Sequence, residues 1–226
     1  MEAINNYIEH TNLKPDATQA DIIALCEEAM EHKFYAVCVA PYYVQLAKKT
    51  LKKSNVKIVT VVGFPMGYGT VAAKVEETKK AIMAGADEID MVMNISAFKS
   101  GDDAVVLNDI QSVVMACHLQ NKLAKVIIET AYLSDDEIEK ACRICVDSEA
   151  DYVKTSTGFA SSGAKTEHIK LMRKILPAKV KIKASGGIRT LTFAKELIEA
   201  GANKLGLSAG VSVMEETQQL ATENHV

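Results

Sequence analysis

Short apolar, β-branched runs alternate with longer stretches whose apolar positions recur at helical spacing, along the whole chain. The runs predict eight strands: YIEHTNL (7–13), FYAVCVA (34–40), VKIVTVV (56–62), EIDMVMN (88–94), AKVIIET (124–130), DYVKTST (151–157), VKIKASG (180–186) and NKLGLSA (203–209). A helical pattern follows each. TQADIIALCEEAMEHK and SDDEIEKACRICVDSEA open with helix-starting residues, whereas TVAAKVEETKKAIMAG and TLTFAKELIEAG close on the glycine expected just past a helix end. AGADEIDMV, with its echoes SEADYVKT and AGANKLGL, shows one helix-turn-strand unit recurring. No Pro/Gly/Ser-rich linker or low-complexity tract interrupts the series. Eight strand-helix units without a boundary predict an α/β fold, a (β/α)8 TIM barrel forming a single domain over residues 1–226. The alternative is a doubly wound open sheet, and its dinucleotide fingerprint is missing: GFPMGYGT and GLSAG do not place G-x-G-x-x-G at the start of a helix after the first strand.

Composition narrows the partners. The net charge is −3 with acids and lysines interleaved, which leaves no footprint for nucleic acid and no polybasic patch for a membrane. Small-molecule partners are expected. The start MEAINNYIEH lacks a basic segment followed by an apolar one, and no run approaches the roughly 20 apolar residues that span a bilayer, so a cytoplasmic location is expected. Five scattered cysteines suit a reducing compartment. Cys142 and Cys145 form a C-x-x-C within a helical pattern, and burial is the expectation against redox or metal chemistry, since no second pair or nearby histidine completes a site. The histidines at 10, 32, 118, 168 and 225 are unclustered, and only His10 lies beside a strand end.

Three strand segments carry ionisable residues that a parallel sheet, covered on both faces, disfavours. Lys154 lies toward the C-terminal half of its strand, sharing a face with Tyr152 and Ser156; Lys183 is at the comparable place one strand later. Asp90 sits two strands before, on the face expected to hold Asn94, and Lys125 opens the strand between. An ion-paired cluster closing the barrel interior is one reading. The other is chemistry, because pairing one acid needs only one cation and a lysine is left over. An ordinary lysine is only about 0.04% unprotonated at pH 7. A neighbouring ammonium and burial would both raise that fraction and make the amine a nucleophile for a carbonyl. The last three strands end in Gly158, in Gly186 and Gly187, and in Gly206 and Gly210, with Arg189 close by. Such loops serve as plain turns or as a phosphate cradle, and barrels bind phosphate after strands seven and eight.

DYVKTSTGF, KIKASGGIR, GADEIDMVMN, KVIIET, VVGFPMG and EHTNLKPDAT together resemble the deoxyribose-phosphate aldolase family, in the family's order and across nearly the full chain. The resemblance implies a cofactor-free, metal-independent class I aldolase on a TIM barrel. Such an enzyme interconverts 2-deoxyribose 5-phosphate with acetaldehyde and glyceraldehyde 3-phosphate. Its partners would be a phosphorylated sugar and aldehydes, with assembly as a homodimer or homotetramer. It implies Lys154 as the Schiff-base lysine, Lys183 as its pKa-lowering partner and Asp90 as the proton-transfer carboxylate. Thr11, Cys38, Lys125 and Thr157 would lie near the sugar; Gly158, Gly186, Gly187, Arg189, Gly206 and Ser208 would meet the phosphate. Departures from the family pattern fall at Glu9, Asn12, Ala40, Ala160, Lys165, Leu207 and Ala209, and the tail TENHV lacks a terminal tyrosine. Leu207 and Ala209 are expected to remove hydroxyls from the phosphate end. Another class I aldolase or a transaldolase would keep the lysine and change the acceptor. A non-catalytic sugar-phosphate-binding barrel would keep the glycine loops but leaves the lysines without a purpose.

Overall fold

The computed structural model describes residues 3–223; His225 and the end of the TENHV tail lie outside them. Eight parallel strands close into a barrel in sequence order: β1 (Ile8–Asn12), β2 (Ala36–Val39), β3 (Lys57–Val62), β4 (Glu88–Val92), β5 (Leu123–Ile127), β6 (Tyr152–Lys154), β7 (Lys181–Ser185) and β8 (Lys204–Leu207), with β8 pairing back to β1. Around them run α1 (Gln19–Glu31), α2 (Val44–Thr50), α3 (Val71–Ala84), α4 (Ile95–Lys99), α5 (Asp103–His118), α6 (Asp135–Asp147), α7 (Thr166–Ile175), α8 (Leu191–Glu199) and α9 (Gly210–Glu223). This is the (β/α)8 barrel expected, with α4 as a short extra helix between β4 and α5. No helix among the described residues is long and apolar enough to cross a membrane.

Helix boundaries follow local chemistry. Thr18 and Ser134 each accept a backbone N–H from the third helical residue, Asp21 or Glu137, whose carboxylate in turn accepts the cap's own N–H. These reciprocal caps satisfy donors that a bare helix start would leave open. Gly85 ends α3 in a left-handed conformation at φ 117°, the usual helix stop. α6 buries Ile138, Ala141, Cys142 and Cys145, so the C-x-x-C is two packed thiols on one helix face. Burial pushes the Cys142 thiol up to about 12 and holds Cys145 well above its ordinary value, which suits inert core residues.

The recurring helix-turn-strand unit has a physical cause. Asp87, Asp151 and Asn203 immediately precede β4, β6 and β8, and each side chain accepts the N–H of a residue on the preceding strand: Ile58 at 3.0 Å, Ala124 at 2.8 Å and Ile182 at 2.9 Å. Each backbone N–H returns a bond to that residue's carbonyl. Three alternate strands are thereby locked at the N-terminal end of the barrel. Before β2 the same place holds Tyr35, whose hydroxyl donates instead to Glu88.

Strand alternation sends Val37, Ile89, Val126, Val153, Ile182 and Leu205 outward into one continuous apolar layer beneath the helices. The interior is divided. On β2 and β3 it is filled by Ala36, Cys38, Val59 and Val61, and on the other side it is ionic.

Candidate active site

The ionic half holds three lysines and three carboxylates, all at most 3% exposed: Lys125, Lys154 and Lys183 with Glu9, Glu88 and Asp90. Register sets the grouping, because Asp90 pairs with Lys125 across β4 and β5, and Lys154 pairs with Lys183 across β6 and β7. Asp90 is the hub. Its Oδ2 accepts from Lys154 at 2.8 Å and Lys183 at 2.6 Å, and its Oδ1 accepts from Lys125 at 2.9 Å. Lys125 also meets Glu88 at 2.6 Å, and Lys183 pairs with Glu9.

The surplus-lysine expectation is therefore corrected. Three cations meet three anions, as an apolar enclosure requires. Glu9 and Glu88 were the missed residues. Each stands two positions before an inward-facing residue, Thr11 or Asp90, and that parity was the available signal. Asn94 does not join Asp90: it lies past the strand end, where its side chain caps α4 through the Ala97 N–H. A second buried pair fixes this exit from outside, as Lys74 of α3 donates to the Val92 carbonyl at 2.8 Å and to Asp109 at 2.6 Å.

With the charges balanced, position and proton affinity distinguish the lysines. A cavity of about 550 Å³ opens at the C-terminal ends of β1, β6, β7 and β8, and Lys154 alone among the three lysines forms part of its wall. Burial lowers the Lys154 pKa; Asp90 opposes this, Lys183 adds to it, and the net shift is downward. For Lys183, burial is outweighed by Asp90 and then Glu9, so its ammonium is held above the ordinary value. Lys125 is likewise held well above the ordinary value by Asp90, Glu9 and Glu88 against burial. Asp90 itself, which burial would raise, is drawn well below the usual carboxylate range by Lys125, Lys154 and Lys183.

Thr11, Thr157, Gly158, Gly186, Gly187, Arg189, Gly206 and Ser208 all line the cavity. Gly186 must lack a side chain, because it takes φ 87° and a Cβ there would come within 2.9 Å of Gly163. Gly206 serves the lysine as well, since a Cβ on it would stand 2.9 Å from Lys183 Cε. Cys38 and Lys125 do not form the cavity wall and are wholly enclosed. Lys125 is one interior layer too deep, for it pairs with Tyr152 while Ile127 pairs with Lys154. Leu207 lines the cavity as well, while packing into the apolar core at 4% exposure.

The family model described as DeoC/LacD family aldolase matches residues 6–216. The chain belongs to that family. A family relative, the deoxyribose-phosphate aldolase of Thermococcus gammatolerans, is 52% identical over 214 residues, covering 94% of this chain and 95% of its own. Among solved structures, "QR15, an Aldolase" superposes with a TM-score of 0.92 at 40% identity, covering 97% of each chain. The tetrameric deoxyribose phosphate aldolase of Aeropyrum pernix superposes with a TM-score of 0.90 at 29% identity, covering 96% of this chain and 92% of that one.

Proposed function

We infer that this chain is a single-domain class I aldolase that cleaves 2-deoxy-D-ribose 5-phosphate to acetaldehyde and D-glyceraldehyde 3-phosphate, and runs the reverse addition, through a Schiff base on Lys154. The carrying observation is that, among three buried lysines, Lys154 is the one on the cavity wall and the one whose amine burial and Lys183 favour as the free base. Lys154 Nζ attacks the C1 aldehyde of the open-chain sugar, and loss of water leaves an iminium that withdraws electrons from the C2–C3 bond. Asp90, kept ionised by its lysines, takes the proton of the C3 hydroxyl directly or through a water as that bond breaks. C3 becomes the aldehyde of glyceraldehyde 3-phosphate. The enamine is protonated at C2, and hydrolysis releases acetaldehyde and the amine.

In this reading Lys183 remains an ammonium that biases Lys154, and Thr11 and Thr157 face the sugar. Gly158, Gly186, Gly187, Arg189, Gly206 and Ser208 receive the phosphate through backbone N–H groups, a hydroxyl and a guanidinium. Lys125 and Cys38 shape the floor beneath. A cytoplasmic homodimer or homotetramer completes the proposal, and light scattering counts the chains.

Acetaldehyde with borohydride tests the central assignment. We expect peptide mapping to find an ethyl group on Lys154, Lys154→Ala to abolish turnover, and EDTA to leave the wild type unaffected. An adduct on Lys183 or Lys125 overturns the assignment.

A further inference from the structure

A carboxylate at the exit of β5 takes no part in these steps. Glu129 is buried at 2% exposure and takes φ 53° and ψ 70°, a left-handed conformation unfavourable for a residue with a Cβ. Such a conformation persists where its surroundings over-determine it. Here the Ile128 N–H donates to the Lys154 carbonyl at 3.0 Å and the Thr130 N–H to the Thr155 carbonyl at 2.9 Å, so the backbone on both sides of Glu129 is stitched to the exit of β6. The side chain reaches the same segment. Its Oε2 accepts the Thr157 N–H at 3.0 Å and the Thr157 hydroxyl, while its buried Oε1 has no partner among the described residues.

This arrangement fixes what Thr157 can offer a ligand. A threonine hydroxyl has one donor and two lone pairs. The donor goes to Glu129, because Oε2 already acts as acceptor toward the amide; one lone pair accepts the Phe159 N–H at 3.0 Å. One lone pair and no donor remain, on a residue in the cavity wall beside Lys154. A substrate hydroxyl can donate to it. A carbonyl or phosphate oxygen meets only a lone pair and is repelled.

We propose that Glu129 is a positioning residue that makes Thr157 a pure hydrogen-bond acceptor, so that this wall selects substrates bearing a free hydroxyl between the carbonyl end and the phosphate. Resting on the aldolase reading, the hydroxyl is that on C4, the one open-chain hydroxyl that cleavage does not consume. A mere brace would act differently: its loss would slow every substrate by the same factor.

The test compares 2-deoxyribose 5-phosphate with its C4-keto analogue, whose carbonyl oxygen offers only lone pairs at that place until loss of Glu129 frees the Thr157 hydroxyl to donate to it. We expect the wild type to show a KM about tenfold lower for the hydroxylated sugar, the worth of one well-placed hydrogen bond. Glu129→Leu should bring the two KM values together while acetaldehyde still forms its adduct on Lys154. Glu129→Gln, whose carboxamide oxygen accepts from both Thr157 donors, should restore the preference. If Glu129→Leu does not fold, Thr157→Val should abolish the preference and Thr157→Ser keep it; retention in the valine variant overturns the proposal. A Glu129→Leu chain that keeps the wild-type preference, or loses turnover equally for both sugars, also overturns it. Absence of an acetaldehyde adduct in the wild type overturns the aldolase reading itself.

Discussion

Lys154 and Lys183 have the same ordinary proton affinity, and their surroundings push them apart. Lys183 has two carboxylate partners, Asp90 and Glu9, and keeps its proton; Lys154 shares Asp90 and faces the cavity. Lys183→Leu removes the positive neighbour of Lys154 and leaves Asp90 less compensated, and both changes raise the Lys154 pKa. The acidic limb of kcat/KM against pH should then move to higher pH. Lower activity at an unmoved profile would mean that Lys183 only positions the amine. Lys125 separates the other way. It lies a layer below the cavity, so Lys125→Met should cost about 3–5 kcal/mol in urea denaturation by leaving Glu88 without its buried cation and Asp90 with one fewer. Acetaldehyde should still be trapped on Lys154; loss of trapping in a folded variant would give Lys125 a catalytic part. The inward placement of Lys154, Lys183 and Asp90 was legible in the sequence because charge inside a parallel sheet is anomalous. Glu9 and Glu88 were not, because an acid at a strand start reads as a solvated end until the closed barrel shows which face is inward.

At the scale of elements, strand order and helix starts were written in local chemistry, but strand ends were not. The run DYVKTST reads as seven residues of strand, and β6 has three. Beyond Lys154, side chains take over the pairing: Thr155 and Ser185 exchange hydroxyl and backbone bonds, the Ser185 hydroxyl donates to the Ser156 carbonyl at 2.6 Å, and Glu129 holds Thr157. β-Branched propensity does not distinguish a ladder from such a network, so the sequence overextends the strand and hides the clamp. The echo of AGADEIDMV was visible, whereas its purpose needed the register. Asp87, Asp151 and Asn203 lock β3, β5 and β7, and replacing Asp87 or Asn203 by alanine leaves a backbone N–H on the preceding strand without its side-chain acceptor. Each change should cost about 1–3 kcal/mol. The locks made by Asp87 and Asn203 lie on β3 and β7, on opposite sides of the closed barrel, so the double variant should lose the sum of the two to within about 0.5 kcal/mol. A loss well short of the sum in chemical denaturation would show that the locks are coupled.

Across the whole molecule the barrel interior is split between an apolar half on β2 and β3 and a charge-balanced half spread over β1 and β4 to β7, and the cavity opens above the second. That division ties stability to pH in a direction that can be worked out. Burial would raise Glu88 and Asp90, but their lysines hold both below ordinary carboxylate values. The stability they contribute is complete above the unfolded carboxylate pKa of about 4 and is lost as pH falls from there through their folded values. Lys125 and Lys183 are raised, so their contribution is complete below the unfolded lysine value of about 10.4 and is lost as pH climbs through their folded values. Lys154 runs the opposite way: its lowered pKa costs stability while the amine carries a proton, and that cost is relieved as pH rises. The alkaline loss is therefore partly cancelled and the acid loss is not. Tm should be nearly level from about pH 5 to 9 and fall steeply below about pH 4. Glu88→Gln should make the acid fall shallower by removing one of the two carboxylates responsible. A Tm that rises on acidification from pH 6 to pH 4, or an acid limb untouched by Glu88→Gln, would show that the buried cluster does not govern the stability of the barrel.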